Sequence, residues 1–546
     1  SETVIAQSEW SVEWSTMNIP GMDNAAGSTH QKRERGRRRL RFTALALCSC
    51  LTMHCRVVEP AITNGLFYYL FLILAVAALA NPLRHFEVYL GQWSINGPGR
   101  AFRILPMLDG IGLAMCINSI VRAVNCCTMA AITLLYVVHS SSDSKLPFTY
   151  CRSHRAFHIN DYGGNHISRG FSEKRMNIYE YELQTCNEVY NGYPLIFGPP
   201  AYNYFYVELT RLSATYDYGA FNVPLLICLT CIWIFLWFLM IVERINNGRL
   251  VWNNLYSWIA YVPWLWVACL AVAAIPPSTG YLLRLQPMPL QGLTDAFVVA
   301  LHIHSASMGS EIVHGKGLNF YASGHIDPLL NRDNVWHSGL VLALAVLHSF
   351  CATVCALADV PRPDVRGLYN TKESFMWIMP MYSKCTSAGN YSHAMSCIIF
   401  GGLSFSYIVV AYTMIKTSLH TIFEYRVKLV FVEQQMVAAM ICSCLLLSLP
   451  YATTGGLALL ESVESLMTGL ATPLVVLGEL VALLYVYRSA DFQSDMNIAT
   501  EENTCSCRIG TSWQLLPIIT VVRIQGVPRS SDILKLGRRG PRGLSK

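Results

Sequence analysis

The chain has 546 residues, 53% apolar and only 14% charged, which excludes an ordinary soluble domain and points to a polytopic membrane protein with one large helical bundle. The formal charge of +6 makes no case for nucleic acid, because much of the excess lies in Lys32–Arg41 (KRERGRRRLR), directly before the first apolar segment, where it reads as a positive-inside signal. Nineteen cysteines would allow a disulfide scaffold, yet Cys48, Cys50, Cys126, Cys127, Cys228, Cys231, Cys442 and Cys444 fall inside apolar runs and read as small packing residues rather than metal ligands.

Residues 1–41 are polar and mixed in charge, lack a secretory hydrophobic core, and are expected to be a disordered cytosolic segment. The chain starts on Ser1, as an incomplete or processed start would. A membrane domain is expected over residues 42–525. Phe42–Val58 is a marginal span that Glu59-Pro60 and Asn64-Gly65 should end or bend. Leu66–Leu90 is a strong span, kinked near Pro82, with Glu87 buried and in need of a partner. The basic loop Gly91–Pro106 is expected in the cytoplasm, and Ile111–Val138 crosses outward with Arg122 and Asn125 embedded in it. An arginine inside a span requires a counter-charge, for which Glu479 or a bound anion is the expected partner. Residues 139–219 read as a large external loop in which Cys151 and Cys186 could form a disulfide.

Phe221–Val242 and Asn253–Ile275 are the next spans. The following apolar run is different, since Asp295–Phe320 is interrupted by His302, His304, Ser305, Ser307, Gly309, Ser310 and Glu311. Lipid does not tolerate that polar density, so the segment should face protein or water, either as a span broken at mid-depth around a solute or as a buried helix with satisfied histidines. Val335–Leu357, a second external segment over residues 359–389, and the spans His393–Ile415, Leu429–Leu449 and Ala458–Tyr487 follow, making about ten crossings. Asn390 begins the one glycosylation sequon, close to the membrane. Trp513–Val522 is too short to cross, and the tail over residues 526–546 is basic and expected to be cytosolic, near anionic lipid.

Several short runs occur in a telling order: Phe86-Glu87-Val88-Tyr89-Leu90-Gly91-Gln92-Trp93, Gly97-Pro98, Gly110-Ile111-Gly112-Leu113-Ala114-Met115, and then Thr453-Thr454-Gly455-Gly456 with Glu464, Glu479, Tyr487, Phe492 and Asp495. Together they resemble the neurotransmitter:sodium symporters. The resemblance implies an all-α polytopic membrane protein with the bacterial leucine-transporter fold, two inverted five-helix repeats whose first and sixth helices are unwound around a central site. Members of that family normally have twelve spans, whereas this chain shows about ten to eleven.

Departures from the pattern are as informative. Thr52–Pro60 lies over the family's Gly-Leu-Gly-Asn-x-x-Arg-Phe-Pro, so Cys55 replaces the sodium-binding asparagine and Val58 the gate arginine. Sulfur is a poor ligand for a hard cation. Ser404 and Phe405 replace a carboxylate and a ligating hydroxyl in the eighth span. Asn125-Cys126-Cys127 replaces Tyr-Tyr-Asn in the third, and Val299 and Ile303 stand where chloride ligands are expected in the sixth. The resemblance thus implies a substrate site lined by Cys55, Asn125, Cys126, His304, Ser305, Ser307 and Ser404, with Glu87, Arg122, Glu464 and Glu479 as gate or scaffold. Arg56 is a candidate replacement partner for Glu464, although a solvated loop charge is the plainer expectation there.

The implied function is plasma-membrane transport of an amino acid or small amine by alternating access, without enzymatic activity or cofactor, and with sodium and chloride dependence put in doubt. His54, His302 or His304 could allow proton coupling instead. Two alternatives remain: a non-transporting paralogue acting as partner or regulatory subunit of another membrane protein, and a haem or redox protein using His302, His304, His348 and the cysteines. The second is disfavoured because residues two apart point to different helix faces.

Overall fold

The computed structural model describes residues 45–105, 108–142, 145–149, 204–211, 219–245, 252–273, 290–316, 329–359 and 392–500, with isolated positions at 201, 379–380, 382–383 and 516–517. Among these, β-type pairing is limited to one isolated bridge between Phe221 and Thr453. Seven helices are long and apolar enough to cross a membrane, or eight if the bent pair Leu45–Thr52 and His54–Ile62 is one span. The fifth and sixth spans account for shorter apolar helices, Ile259–Val272 and Gly292–Ile303. Cys151, Cys186 and Asn390, and most of the two expected external segments, lie outside the described residues.

The first span breaks at Met53, between segments bent by 58°. Its second half, His54–Asn64, carries Pro60 inside the helix and ends at Gly65 with φ 56°, so the proline does not terminate the span where the sequence predicts. The expected kink near Pro82 is a π-helical stretch at Val76–Ala80, which absorbs the missing amide just before Asn81–Ser94 resumes. The third span, Gly110–Ser142, and the eighth, Ser392–Tyr425, are longer than predicted and pack along each other. Tyr136 and Phe400 stack across their contact with centroids 4.1 Å apart. The tenth span, Gly456–Val486, contains π-helical stretches at Met467–Ala471 and Ala482–Val486.

The central interrupted stretch is a broken span. Leu290–Ile303 and Ser310–Lys316 are helical, and between them Ser305, Ser307 and Gly309 adopt φ of 51°, 58° and 77°. Left-handed backbone costs a serine about 1–3 kcal/mol, so two such residues separated only by Ala306 require an environment that fixes them. At Gly309 a side chain is excluded twice over, by its φ and by Pro98 Cγ, 2.5 Å from where a Cβ would sit. The second half of the span lies directly on the second span: a Cβ at Gly91 would strike the Ile312 carbonyl, and one at Gly315 the Val88 carbonyl.

Candidate functional site

The two breaks meet. Ser49 Oγ, one turn before the first, lies 3.3 Å from Ser305 Oγ in the second, and Ser119 of the third span donates to the Met308 carbonyl. Backbone released from helical pairing is thereby held by neighbouring spans, as burial in a bilayer demands.

Above the first break lies a closed polar network. Arg122 Nη1 is 3.4 Å from Glu464 Oε1, Arg122 Nη2 donates to Thr52 Oγ1 at 3.0 Å, and Asn125 Nδ2 donates to Glu464 Oε2 at 2.9 Å. Thr52 in turn donates to the Ser49 carbonyl at 2.7 Å. The Arg122 and Glu464 side chains are 8% and 15% exposed, so this is a buried ion pair. It corrects two expectations: the partner of Arg122 is Glu464 rather than Glu479, and Glu464 is on the helix Gly456–Leu466 rather than in a solvated loop. Arg56 reaches Ser465 Oγ at 3.4 Å.

Beneath that network His54 fills space. It stands on the second glycine of the family motif, and its Nε2 lies 3.0 Å from the Tyr407 hydroxyl, which donates to the Thr52 carbonyl at 3.3 Å. Assigning the proton to His54 Nε2 satisfies both contacts, and leaves Nδ1 to accept from the Cys55 thiol at 3.3 Å. Tyr382 packs on the same imidazole with centroids 5.4 Å apart. Ser404 donates to the Ala130 carbonyl at 3.2 Å, and Cys126 is buried beside Asn125. Val299 and Ile303 are enclosed in the apolar core. Of the sequence-derived candidates, Ser305 and Cys55 touch residues of the first break, Asn125 and Cys126 belong to the network of Arg122 and Glu464, and Ser404 is tied to the third span at Ala130. Sequence reading missed Tyr407, Tyr382 and Thr52; the signal for them was a bulky His54 on a motif glycine, which requires neighbours to accommodate it.

Below the sixth-span break a second group assembles. Glu87 Oε1 accepts the Ser307 amide at 2.7 Å, and His304 Nε2 lies 2.9 Å from Asn81 Oδ1. His302 Nδ1 instead faces the Val298 carbonyl at 2.9 Å, so the two histidines are held by different elements. Among the described residues no group of three or more His, Cys, Asp or Glu side chains is placed to hold a metal ion. At the far end Glu424 receives the Gly97 amide at 2.6 Å, the Gly99 amide at 3.1 Å and Lys316 Nζ at 3.0 Å, tying the basic loop to the end of the broken span.

Sequence comparison agrees with this architecture. The family model for the Sodium:neurotransmitter symporter family matches residues 62–282. Sodium- and chloride-dependent glycine transporter 2 of Xenopus laevis is 22% identical over 461 residues, covering 80% of this chain and 57% of that protein. The sodium- and chloride-dependent neutral and basic amino acid transporter B(0+) of Mus musculus is 31% identical over 182 residues, 32% of this chain and 28% of its own length. The crystal structure of MhsT in complex with L-phenylalanine superimposes with a TM-score of 0.64 at 12% identity, covering 90% of this chain and 98% of that one.

Over residues 62–282 the chain is similar to the neurotransmitter:sodium symporter family. Its fold is that of the bacterial leucine transporter. It spans little more than half the length of the Xenopus glycine transporter it matches. The arginine that faces Glu464 comes from the third span, and Val58 of the first span is buried and apolar.

Proposed function

We propose that this protein is a plasma-membrane transporter of the symporter type that moves an amino acid or small amine by alternating access, with sodium and chloride sites that no longer work as ion sites. The observation that carries the reading is the Arg122–Glu464 pair closing over two touching helix breaks. A buried pair joining the third and tenth spans can exist in made and broken states, which is what a gate needs. Sodium coupling requires that ion and substrate stabilise each other's binding. Here Cys55 turns its thiol to His54, Ser404 gives its hydroxyl to Ala130, and Ile303 is fully buried among apolar groups, so oxygen ligands for a hard cation are lacking at those positions.

The alternative, a non-transporting paralogue acting as partner of another membrane protein, is favoured by one observation: His54, Tyr407 and Tyr382 occupy the space beside the first break. Uptake of a broad amino-acid and amine panel into vesicles, with sodium, with choline in its place, and across a pH gradient, separates the two. The expected result is no strong sodium-coupled uptake. Robust uptake that disappears in choline would show the ion-site reading wrong, and no uptake under any condition would favour the paralogue.

The orientation that goes with this reading places the amino terminus and the basic loop in the cytoplasm. Impermeant labelling of Asp161→Cys in intact cells is then expected to succeed, and protection from the label would reverse the topology.

A further inference from the structure

The acids below the sixth-span break are left unexplained by the gate. Glu87 comes from the second span, Glu311 from the second half of the sixth and Glu479 from the tenth, and all three are fully buried. Leu83, Phe86, Ile312, Val476 and Leu480 belong to the apolar cluster around them. Arg84, itself 5% exposed, places its Nε 3.4 Å from Glu311 Oε2. Glu87 lies within electrostatic reach of Glu311, Arg84 and Glu479.

The other titratable groups facing this cluster are His304 at the break and His337 of the seventh span, whose rings are 5.5 Å apart and which both feel Arg84. On the same helices His85 packs against Tyr89, and His314 lies one turn beyond Glu311.

The hydrogen-bond pattern is lopsided. Ser307 supplies one amide to Glu87 Oε1, but Glu87 Oε2 and both oxygens of Glu479 and of Glu311 have no hydrogen-bond partner among the described residues. The Ser307 and Ser310 hydroxyls, both fully buried, also lack one. Three ionised acids against one guanidinium would leave two negative charges uncompensated in an apolar interior, which proteins avoid by neutralising the group. The Arg84–Glu311 pair accounts for one acid. The other two require protons.

We propose that Glu87 and Glu479 form a proton-binding site linked to the break of the sixth span. A neutral Glu87 keeps Oε1 as acceptor for the Ser307 amide and carries its proton on Oε2. Glu479 carries a second proton, so the cluster with Arg84 and Glu311 is neutral overall. The amide that holds Glu87 lies in the left-handed stretch between Ser305 and Gly309, so any movement that straightens this stretch withdraws a donor from Glu87 and admits water. Proton occupancy and the state of the break are then thermodynamically linked: loss of the Ser307 amide favours the protonated acid, entry of water favours the ionised one, and the closed and open forms therefore bind protons with different affinity. The use of that linkage for solute movement rests on the transport reading, whereas the site itself does not.

The test is infrared spectroscopy of the full chain in lipid nanodiscs, with glutamate carboxyls carbon-13 labelled and the proton or deuteron as the only ligand. At neutral pH the protein is expected to show a protonated-carboxyl C=O band that shifts in deuterium oxide and disappears at alkaline pH. Glu479→Gln and Glu87→Gln should each lower it by about half, one proton of two, while Glu464→Gln leaves it unchanged. Absence of the band in the labelled wild-type protein at neutral pH, or a band untouched by both Gln variants, overturns the site. If a variant does not assemble, presence or absence of the labelled wild-type band decides. A band in a protein that moves no solute at any pH removes the transport reading and leaves the site. Uptake driven by a pH gradient in a protein without the band does the reverse.

Discussion

Glu464 and Glu479 are carried by the same tenth span and are both buried, yet the structure treats them oppositely. Glu464 has a guanidinium on one oxygen and an amide on the other. Glu479 has no hydrogen-bond partner on either among the described residues. A buried carboxylate given a cation and a donor is held ionised and becomes a fixed charge around which a gate can close. One given neither is held neutral, and its proton becomes the exchangeable part. The same side chain thus serves as a lock in one half of the bundle and as a proton carrier in the other, and what decides is the residue opposite: Arg122 there, a second acid here.

The contrast breaks most visibly at Arg122. Arg122→Gln leaves Glu464 buried with Asn125 as donor and only the field of Arg56 in place of an ion pair, and is expected to lower stability by about 3–5 kcal/mol, read as a fall in thermal unfolding temperature of the detergent-solubilised protein. Glu464→Gln should cost a similar amount, and the double variant less than the sum of the two. If Arg122→Gln lies within about 0.5 kcal/mol of wild type, the pair is not a lock. A smaller effect is expected at Tyr407, whose hydroxyl joins His54 to the Thr52 carbonyl. Tyr407→Phe strands both groups and should cost about 1–3 kcal/mol. Unchanged stability would mean that neither His54 Nε2 nor the Thr52 carbonyl depends on the Tyr407 hydroxyl.

Apolar run length and the polar residues of Asp295–Phe320 were enough to mark the bundle and to single out the sixth span as either broken or buried, because lipid imposes the same demand on any sequence. Run length says nothing of where a helix bends within apolar residues. An unwound first helix was legible only through the family resemblance, and the continuation through Pro60 to Asn64 was hidden, since the backbone geometry there goes with contacts to Ser305 and Tyr407, far away in the chain. The pairing of Arg122 was misread for the same reason. Glu464 and Glu479 both lie on the tenth span, and only the three-dimensional course of the third span shows which of them Arg122 meets. Arg84 and Glu311 gave no local sign of being a pair, although each is a charge embedded in an apolar setting and so required a partner somewhere.

The smallest expected effect is the sharpest test of the contrast. Glutamine has the shape of a neutral glutamic acid and exchanges one O–H donor for an amide, so at about pH 4, where the unfolded chain also keeps much of its glutamate protons, Glu479→Gln should change stability by less than about 1 kcal/mol in either direction. As pH rises, the unfolded glutamate gives up its proton while the folded one keeps it, so the wild type should lose stability relative to Glu479→Gln by about 1.4 kcal/mol per pH unit. The pH dependence of the difference therefore reports the charge state directly. A difference between wild type and Glu479→Gln that stays the same from about pH 4 to neutral pH would place a negative charge at Glu479 in the folded protein, and the two acids of the tenth span would then differ in position but not in kind.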